Sequence, residues 1–342
     1  MKRCDLKLYR GYANKNELVV FGHIVKKYPS GDHKYTRKGF RYARTILQLF
    51  SIKTIPNLRV VLRVGSVIAE TRAEEDGYFR FQVPFTDKLG GGWHNYEVSV
   101  DDEVDGKKYF TTRQEEFFFP YESSYGVISD IDDTFLISHS RRSFKKLFVL
   151  LSKNVHARRP FDDVVKHYQL LSLAGSKTPE KNANIFFYVS SSEWNLYDMI
   201  IRFAELNGLP KAVLKLKNIK SGLDDFVMTG GGSHDHKLRK IQNIISFYPE
   251  LTFILLGDDS QKDPDIYEEI CKMFPGSIKA VYLRQTRIRS KPSAILCLNR
   301  MKEMGIDTCY FSHSNKAIIH SVDTGIVVIP PHQDPLEANK SI

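Results

Sequence analysis

Two aspartates spaced by one residue, Asp130 and Asp132 in Asp130-Ile131-Asp132-Asp133-Thr134, follow the strand-like run Tyr125-Gly126-Val127-Ile128-Ser129. A strand ending in this DxDxT pattern delivers both carboxylates to the carboxyl edge of its sheet, where open α/β sheets hold their ligands. Phosphoryl transfer through a carboxylate needs a nucleophile, a proton donor for the leaving oxygen, and a divalent cation that neutralises the moving charge. Asp130 is placed to attack and Asp132 to shuttle the proton. An acidic turn that merely caps the next helix looks the same in isolation, so the assignment depends on what accompanies it.

Three further elements follow in order. Asn184-Ile185-Phe186-Phe187-Tyr188-Val189 is an apolar run ending in Ser190, whose hydroxyl could donate to a phosphoryl oxygen as charge develops there. Lys237, in His234-Asp235-His236-Lys237-Leu238, is a compact cation suited to pairing both a nucleophile and a phosphate. Leu255-Leu256-Gly257-Asp258-Asp259-Ser260-Gln261-Lys262-Asp263 brings carboxylates to the end of another buried run, and such oxygens suit a hard cation such as Mg2+. Each has an ordinary alternative as a turn serine, a solvated lysine or a tight acidic turn. Their order, each at a strand end or beside Asp130, resembles the haloacid dehalogenase motif set.

The segments SDIDDT, YVSSSEWNLYD, HKLRKI and GDDSQKDPDIY resemble the extended motifs of the actin-patch-associated phosphatidate phosphatase family, over roughly residues 120 to 290. The resemblance implies Mg2+-dependent hydrolysis of phosphatidate to diacylglycerol and phosphate through an aspartyl-phosphate on Asp130. It makes Asp132 the general acid/base, places Thr134 in the catalytic motif, and makes Ser190 and Lys237 the phosphate clamps. Asp258 and Asp263 become metal-side acids, with Mg2+ bridging Asp130, the Asp132 backbone carbonyl and Asp258. Ser191, Ser192, Arg141 and Arg142 are the accompanying substrate-side candidates. Glu193 departs from the proline usual in members, and Leu214-Lys215-Leu216-Lys217-Asn218 departs from an Arg-Asp pair. Two other functions stay open: action on a soluble, protein or nucleic-acid phosphomonoester, and a non-catalytic lipid- or protein-binding module.

The elements that must position these residues change character near Pro120. Before it the apolar pattern is short and alternating, as in Phe79-Phe81-Val83 after Asp76-Gly77 and Tyr96-Val98-Val100 after Gly90-Gly91-Gly92, which predicts an antiparallel β-sandwich over residues 1–122. After it, apolar runs at 125–129, 185–189, 251–256 and 278–283 alternate with helical patterns. That alternation predicts a doubly wound, Rossmann-like parallel sheet of the haloacid dehalogenase type over 123–300. A helical cap insertion is expected at about 135–180, and a C-terminal helix and frayed tail at 301–342. Within the insertion Phe144, Leu147, Phe148, Leu151 and Val155 have helical spacing, and residues 135–160 carry Arg141, Arg142, Lys145, Lys146, Lys153, Arg158 and Arg159 with no acidic side chain. Such a helix could lie on anionic lipid or simply pack on the core.

The formal net charge of +10 favours an anionic partner without choosing its kind. The resemblance argues for a lipid phosphate at a membrane surface over nucleic acid. Cys4, Cys271, Cys297 and Cys309 lack CxxC spacing, so buried or incidental thiols in a reducing compartment are expected. No run of ~20 apolar residues stands out, and a cytoplasmic, non-secreted protein, free or peripheral on a membrane, is expected. His139, His156 and His167 have no ligand spacing, and Gly230-Gly231-Gly232 lacks the Lys-Ser/Thr of a phosphate loop.

Overall fold

A computed structural model of the chain describes residues 2–29, 49–121, 125–131, 164–175, 184–217, 233–259 and 262–328. The first sheet contains β1 (Lys2–Arg3), β2 (Asp5–Ala13), β3 (Glu17–Val25), β4 (Arg59–Val64), β5 (Val67–Arg72), β6 (Tyr78–Pro84), β7 (Gly92–Val104) and β8 (Lys107–Phe119). Its order is β5-β4-β7-β8-β2-β3-β6, with β1 also on β8. β1 and β2 run parallel to β8, whereas the other pairs are antiparallel. The end strands β5 and β6 approach each other, so the sheet curls toward closure as a barrel.

This overturns the expected antiparallel β-sandwich, because one mixed, hydrogen-bonded sheet replaces two packed ones. Alternation along β6 and β7 reports only that one face of each strand is covered, which a barrel interior and a sandwich core satisfy equally. β2 and β3 are buried on both faces. Leu6, Leu8, Leu18, Val20 and Ile24 fill the inside of the curled sheet, while Tyr9, Tyr12, Val19 and Phe21 join the core of the second half of the chain.

The second sheet is wholly parallel: β9 (Tyr125–Asp130), β10 (Ile185–Glu193), β11 (Val213–Lys217), β12 (Thr252–Asp258), β13 (Ile278–Arg284) and β14 (Asp307–Phe311), in the order β11-β10-β9-β12-β13-β14. β14 falls in the stretch read as C-terminal helix and tail. The helices are α1 (Val164–Leu173), α2 (Tyr197–Leu206), α3 (Ser233–Phe247), α4 (Asp263–Met273), α5 (Pro292–Glu303) and α6 (Ser314–Asp323). β10 and β11 lie on one side of β9 and β12, β13 and β14 on the other, so Asp130 ends a central strand.

The capped, doubly wound haloacid dehalogenase arrangement is likewise corrected. Residues 135–163 and 176–180 of the expected cap lie outside the described residues, and its remaining piece is a core helix. Val164, Tyr168 and Leu171, at i, i+4 and i+7, are buried in the main apolar cluster. Among the described residues what stands is a parallel α/β sheet beside a barrel-like mixed sheet.

α1 is fastened by a polar contact as well. His167 Nε2 lies 2.8 Å from Ser321 Oγ of α6, and the His167 and Tyr282 rings meet edge to face. Burial, with His320 nearby, lowers the His167 pKa from 6.5 to about 3. The unfolded chain therefore takes up this proton first: the stabilisation is complete above pH 6.5 and is lost as pH falls toward 3. One such group gives a slope of up to about 1.4 kcal/mol per pH unit. Thermal melts from neutral to mildly acidic pH are expected to show Tm falling with acid less steeply in His167→Gln than in wild type; equal slopes would contradict this.

The two sheets are joined over a shared aromatic core. Tyr12 packs edge to face on Phe187 and Phe247, Tyr9 on Tyr197, and His23 stacks on Trp194 at 4.2 Å. The fully buried Lys215 of β11 donates to the Tyr12 hydroxyl at 3.0 Å and lies 4.4 Å from the Tyr12 ring and 4.9 Å from that of Phe21. Tyr248 donates its hydroxyl to the Ala13 carbonyl at 3.0 Å.

Candidate active site

β9 lies between β10 and β12, and its terminal Asp130 is 1% exposed. Ser129, its neighbour, shares a 2.8 Å hydrogen bond with the Tyr168 hydroxyl and donates to the Asp130 carbonyl at 3.0 Å. α1 thereby fixes the backbone under the carboxylate. Burial is the main reason the Tyr168 pKa is raised far above 10, with Asp130 and Asp258 adding to it, so this phenol stays a hydrogen-bonding group.

Lys237, near the start of α3, places its ammonium 3.3 Å from Asp130 Oδ1 and also bonds Asp263 Oδ1. The second oxygen of Asp263 accepts from the Asp258 backbone N–H at 3.3 Å. Asp263 opens α4 and is followed by Pro264, a favourable place for both a carboxylate and a proline. Asp258 ends β12 with no exposure. In register Leu256 lies opposite Ser129, which brings Asp130 and Asp258 to the same edge on adjacent strands.

Gly257 makes this geometry possible. A Cβ there would lie 2.5 Å from Asp263 Oδ2 and 2.8 Å from the Tyr267 ring, and Tyr267 is pinned through its hydroxyl to the Leu256 carbonyl at 2.8 Å. Gly257→Ala is expected to displace Asp263 from Lys237, costing about 1–3 kcal/mol of stability and on the order of 10²-fold in turnover. Denaturant unfolding alongside kinetics would check both; unchanged turnover in a destabilised variant would disconnect the Asp263 seat from the chemistry.

On β10 the ladder with β11 is irregular between Val189 and Glu193, a local bulge that re-aims the serines. Ser190 is buried, and its Oγ accepts from the Ser192 N–H at 2.9 Å. Lys240 of α3 donates to the Ser190 carbonyl at 3.3 Å and to the Lys215 carbonyl at 3.4 Å, tying β10 to β11. Ser192 is buried and Ser191 half-buried. The two departures from the family pattern meet here, since Glu193 Oε1 pairs with Lys217 Nζ at 3.2 Å.

The structure thus brings Asp130, Lys237, Asp258 and Asp263 together, with Ser190 on the next strand. Asp132, Thr134, Arg141 and Arg142 lie outside the described residues, as do the basic amphipathic stretch and Gly230-Gly231-Gly232. Sequence reasoning missed Arg284, Tyr168 and Lys240. Arg284 is buried opposite Asp258 in the β12–β13 ladder. Burial brings its pKa down to about 10, with Asp258 and Tyr168 acting in the other direction. It ends the run 278–283 as Asp130 ends 125–129, a signal available but not applied. Lys240 stands three residues after Lys237, on the same face of its helix.

A metal would find hard oxygen donors here. Asp130 and Asp258 are buried carboxylates on neighbouring strands, and Asp263 is directed to Lys237 and to the Asp258 N–H. Among the described residues no three His, Cys, Asp or Glu side chains form a complete metal-holding group; Asp132, the remaining member of the expected set, lies outside them. The donor chemistry suits Mg2+, which takes few carboxylates and keeps several waters.

Residues 125–285 match the family described as phosphatidate phosphatase APP1, catalytic domain. The match covers this segment, a little under half of the chain. It contains every candidate residue named above and ends just past Arg284. Phosphatidate phosphatase APP1 of Saccharomyces cerevisiae is 27% identical over 293 residues, covering 80% of this chain and 46% of that protein. The chain therefore spans about half the length of that relative, and the alignment extends beyond the APP1 catalytic-domain segment. Solved structures resemble the chain only distantly. A carbohydrate acetylesterase from Xanthomonas citri gives a TM-score of 0.30 at 11% identity over 94% of this chain and 73% of that one. A β-glucuronidase from Parabacteroides merdae gives 0.28 at 8% identity over 90% and 39%.

Proposed function

We propose that the chain is a Mg2+-dependent phosphatidate phosphatase, acting on a lipid phosphate at a membrane surface. The observation that carries this is the buried Asp130 at the end of β9, held 3.3 Å from the Lys237 ammonium inside the APP1 catalytic-domain segment. No helix among the described residues is long and apolar enough to cross a membrane.

In this reading a carboxylate oxygen of Asp130 attacks phosphorus, and the ester oxygen leaves with diacylglycerol, taking a proton from Asp132. Water then attacks the aspartyl-phosphate, returns a proton to Asp132, and releases phosphate with Asp130 restored. Lys237 and the Ser190 hydroxyl donate to phosphoryl oxygens as charge builds on them. Lys237 is kept in place by Asp263, so it can serve nucleophile and phosphate without swinging away. Asp130 and Asp258, with Asp132, would hold Mg2+, which would supply charge neutralisation and orientation of the transferring group.

Phosphate release from phosphatidate in mixed micelles, with and without Mg2+, beside a panel of soluble phosphomonoesters, tests the proposal. Mg2+-dependent release from phosphatidate is the expected result. Activity confined to soluble esters would keep the chemistry and discard the lipid. Silence on every substrate would favour a binding module.

A further inference from the structure

One exposed aliphatic side chain on a surface carries no meaning; the stretch from Arg287 to Leu296 holds several, in a defined setting. Ile288 is as open as in a free chain, at 102% exposure, and Leu296 and Ile295 follow at 56% and 37%. Arg287 and Arg289 flank Ile288 and are themselves exposed, as is Pro292. This loop leaves the carboxyl end of β13 and enters α5, so Ile288 and the first turn of α5 lie on the sheet edge that holds Asp130, Ser190 and Asp258. β13 is two strands from β9, about 10 Å across the sheet.

The loop is built to hold Ile288 outward. Gln285 donates its side-chain amide to the carbonyls of Arg287 at 2.7 Å and Ile288 at 3.0 Å, closing the tip on itself. Asp259, next to Asp258, accepts from the Thr286 N–H at 2.9 Å and from its hydroxyl at 2.5 Å. The far end is fixed by the Lys291 ammonium on the Asp259 carbonyl at 3.0 Å and by the Lys291 N–H on the Tyr310 hydroxyl at 3.0 Å. An aliphatic tip that could lower its exposure by folding back is instead fastened, on both sides, to the residue beside a site aspartate.

We propose that Arg287–Leu296 is a bilayer-contact rim: Ile288, Ile295 and Leu296 enter the headgroup–acyl boundary of an anionic membrane while Arg287 and Arg289 engage its lipid phosphates. Helical rise places Ile295 and Leu296 about 4.5 and 6 Å along α5 from Pro292, within one turn or so of the rim. Cations beside aliphatic tips suit a negatively charged lipid surface better than an acidic protein face, where an isoleucine of full exposure would need a matching pocket. The inference depends on the phosphatidate reading for its substrate but not for its membrane.

The test is sedimentation with phosphatidylcholine vesicles, with and without phosphatidylserine, alongside two assays: phosphatidate held in vesicles and short-chain phosphatidate kept monomeric. Wild type is expected to bind the anionic vesicles, and raised salt to weaken that binding. Ile288→Ser with Leu296→Ser, and separately Arg287→Gln with Arg289→Gln, should each reduce it by about tenfold or more. Hydrolysis of vesicle-held phosphatidate should fall in step, while monomeric hydrolysis and Tm stay at wild-type values. Vesicle binding by the Ile288→Ser/Leu296→Ser protein equal to wild type would overturn the rim. A wild type that ignores both vesicle types would overturn it too, leaving an acidic protein as the occupant. Binding that falls as expected in a protein inactive on both forms of phosphatidate would uphold the rim and sink the substrate assignment.

Discussion

Asp130→Asn is expected to lower Mg2+-dependent phosphate release by on the order of 10⁴-fold or more, with the fold intact. An amide occupies the same volume but is far too weak a nucleophile to accept the phosphoryl group, so neither half of the reaction can start. Folding should survive because Lys237 keeps Asp263 as a partner and the carboxylate of Asp258 loses a like-charged neighbour. Tm is accordingly expected within a few degrees of wild type. Turnover within tenfold of wild type, in protein free of contaminating phosphatase, would remove Asp130 from the nucleophile's role.

Lys237→Met should damage both stability and rate. The wild-type ammonium lies between Asp130 and Asp263, all three side chains being 7% exposed or less. Removing it leaves buried carboxylates without their cation, a change that typically costs about 3–5 kcal/mol. Loss of a preplaced donor to the transferring group should lower turnover by about 10²–10³-fold. The double variant Lys237→Met/Asp130→Asn is expected to recover part of the lost stability, since one orphaned charge goes with the lysine. Urea unfolding of all four proteins checks this; strictly additive stability losses would mean that the 3.3 Å contact carries no coupling.

Asp130, Ser190 and Asp258 were legible as candidates because each follows a mostly apolar run, and a buried parallel strand writes such a run plainly. Lys237 was legible only through the motif around it, since one lysine in a polar helix start is indistinguishable from a solvated one. Arg284 shows the limit of reading by residue type: its place after the run 278–283 marks it as a strand-end residue, but an arginine there reads as solvated until the β12–β13 register sets it, buried, opposite Asp258. The barrel-like sheet was missed because alternation is identical in a barrel and a sandwich. What separates them is the parallel pairing of β2 with β8, a contact between Gly11 and Phe117 that local sequence does not encode. α1 was taken for part of a cap because its place between β9 and β10 is where an insertion is expected. Its Val164, Tyr168 and Leu171 stripe had the spacing of a core helix.

The junction between the two sheets bears on how such a chain can be cut and recombined. Tyr12 and Phe21 enclose the Lys215 ammonium, and Tyr9 and Tyr12 complete the aromatic packing around Phe187, Tyr197 and Phe247. A fragment limited to residues 125–285 would meet water with a hydrophobic wall and a lysine stripped of its aromatic cover. The barrel-like sheet is therefore less a detachable module than one jaw of a vice. Transplanting the parallel-sheet half onto another scaffold would require carrying β2 and β3 along with it.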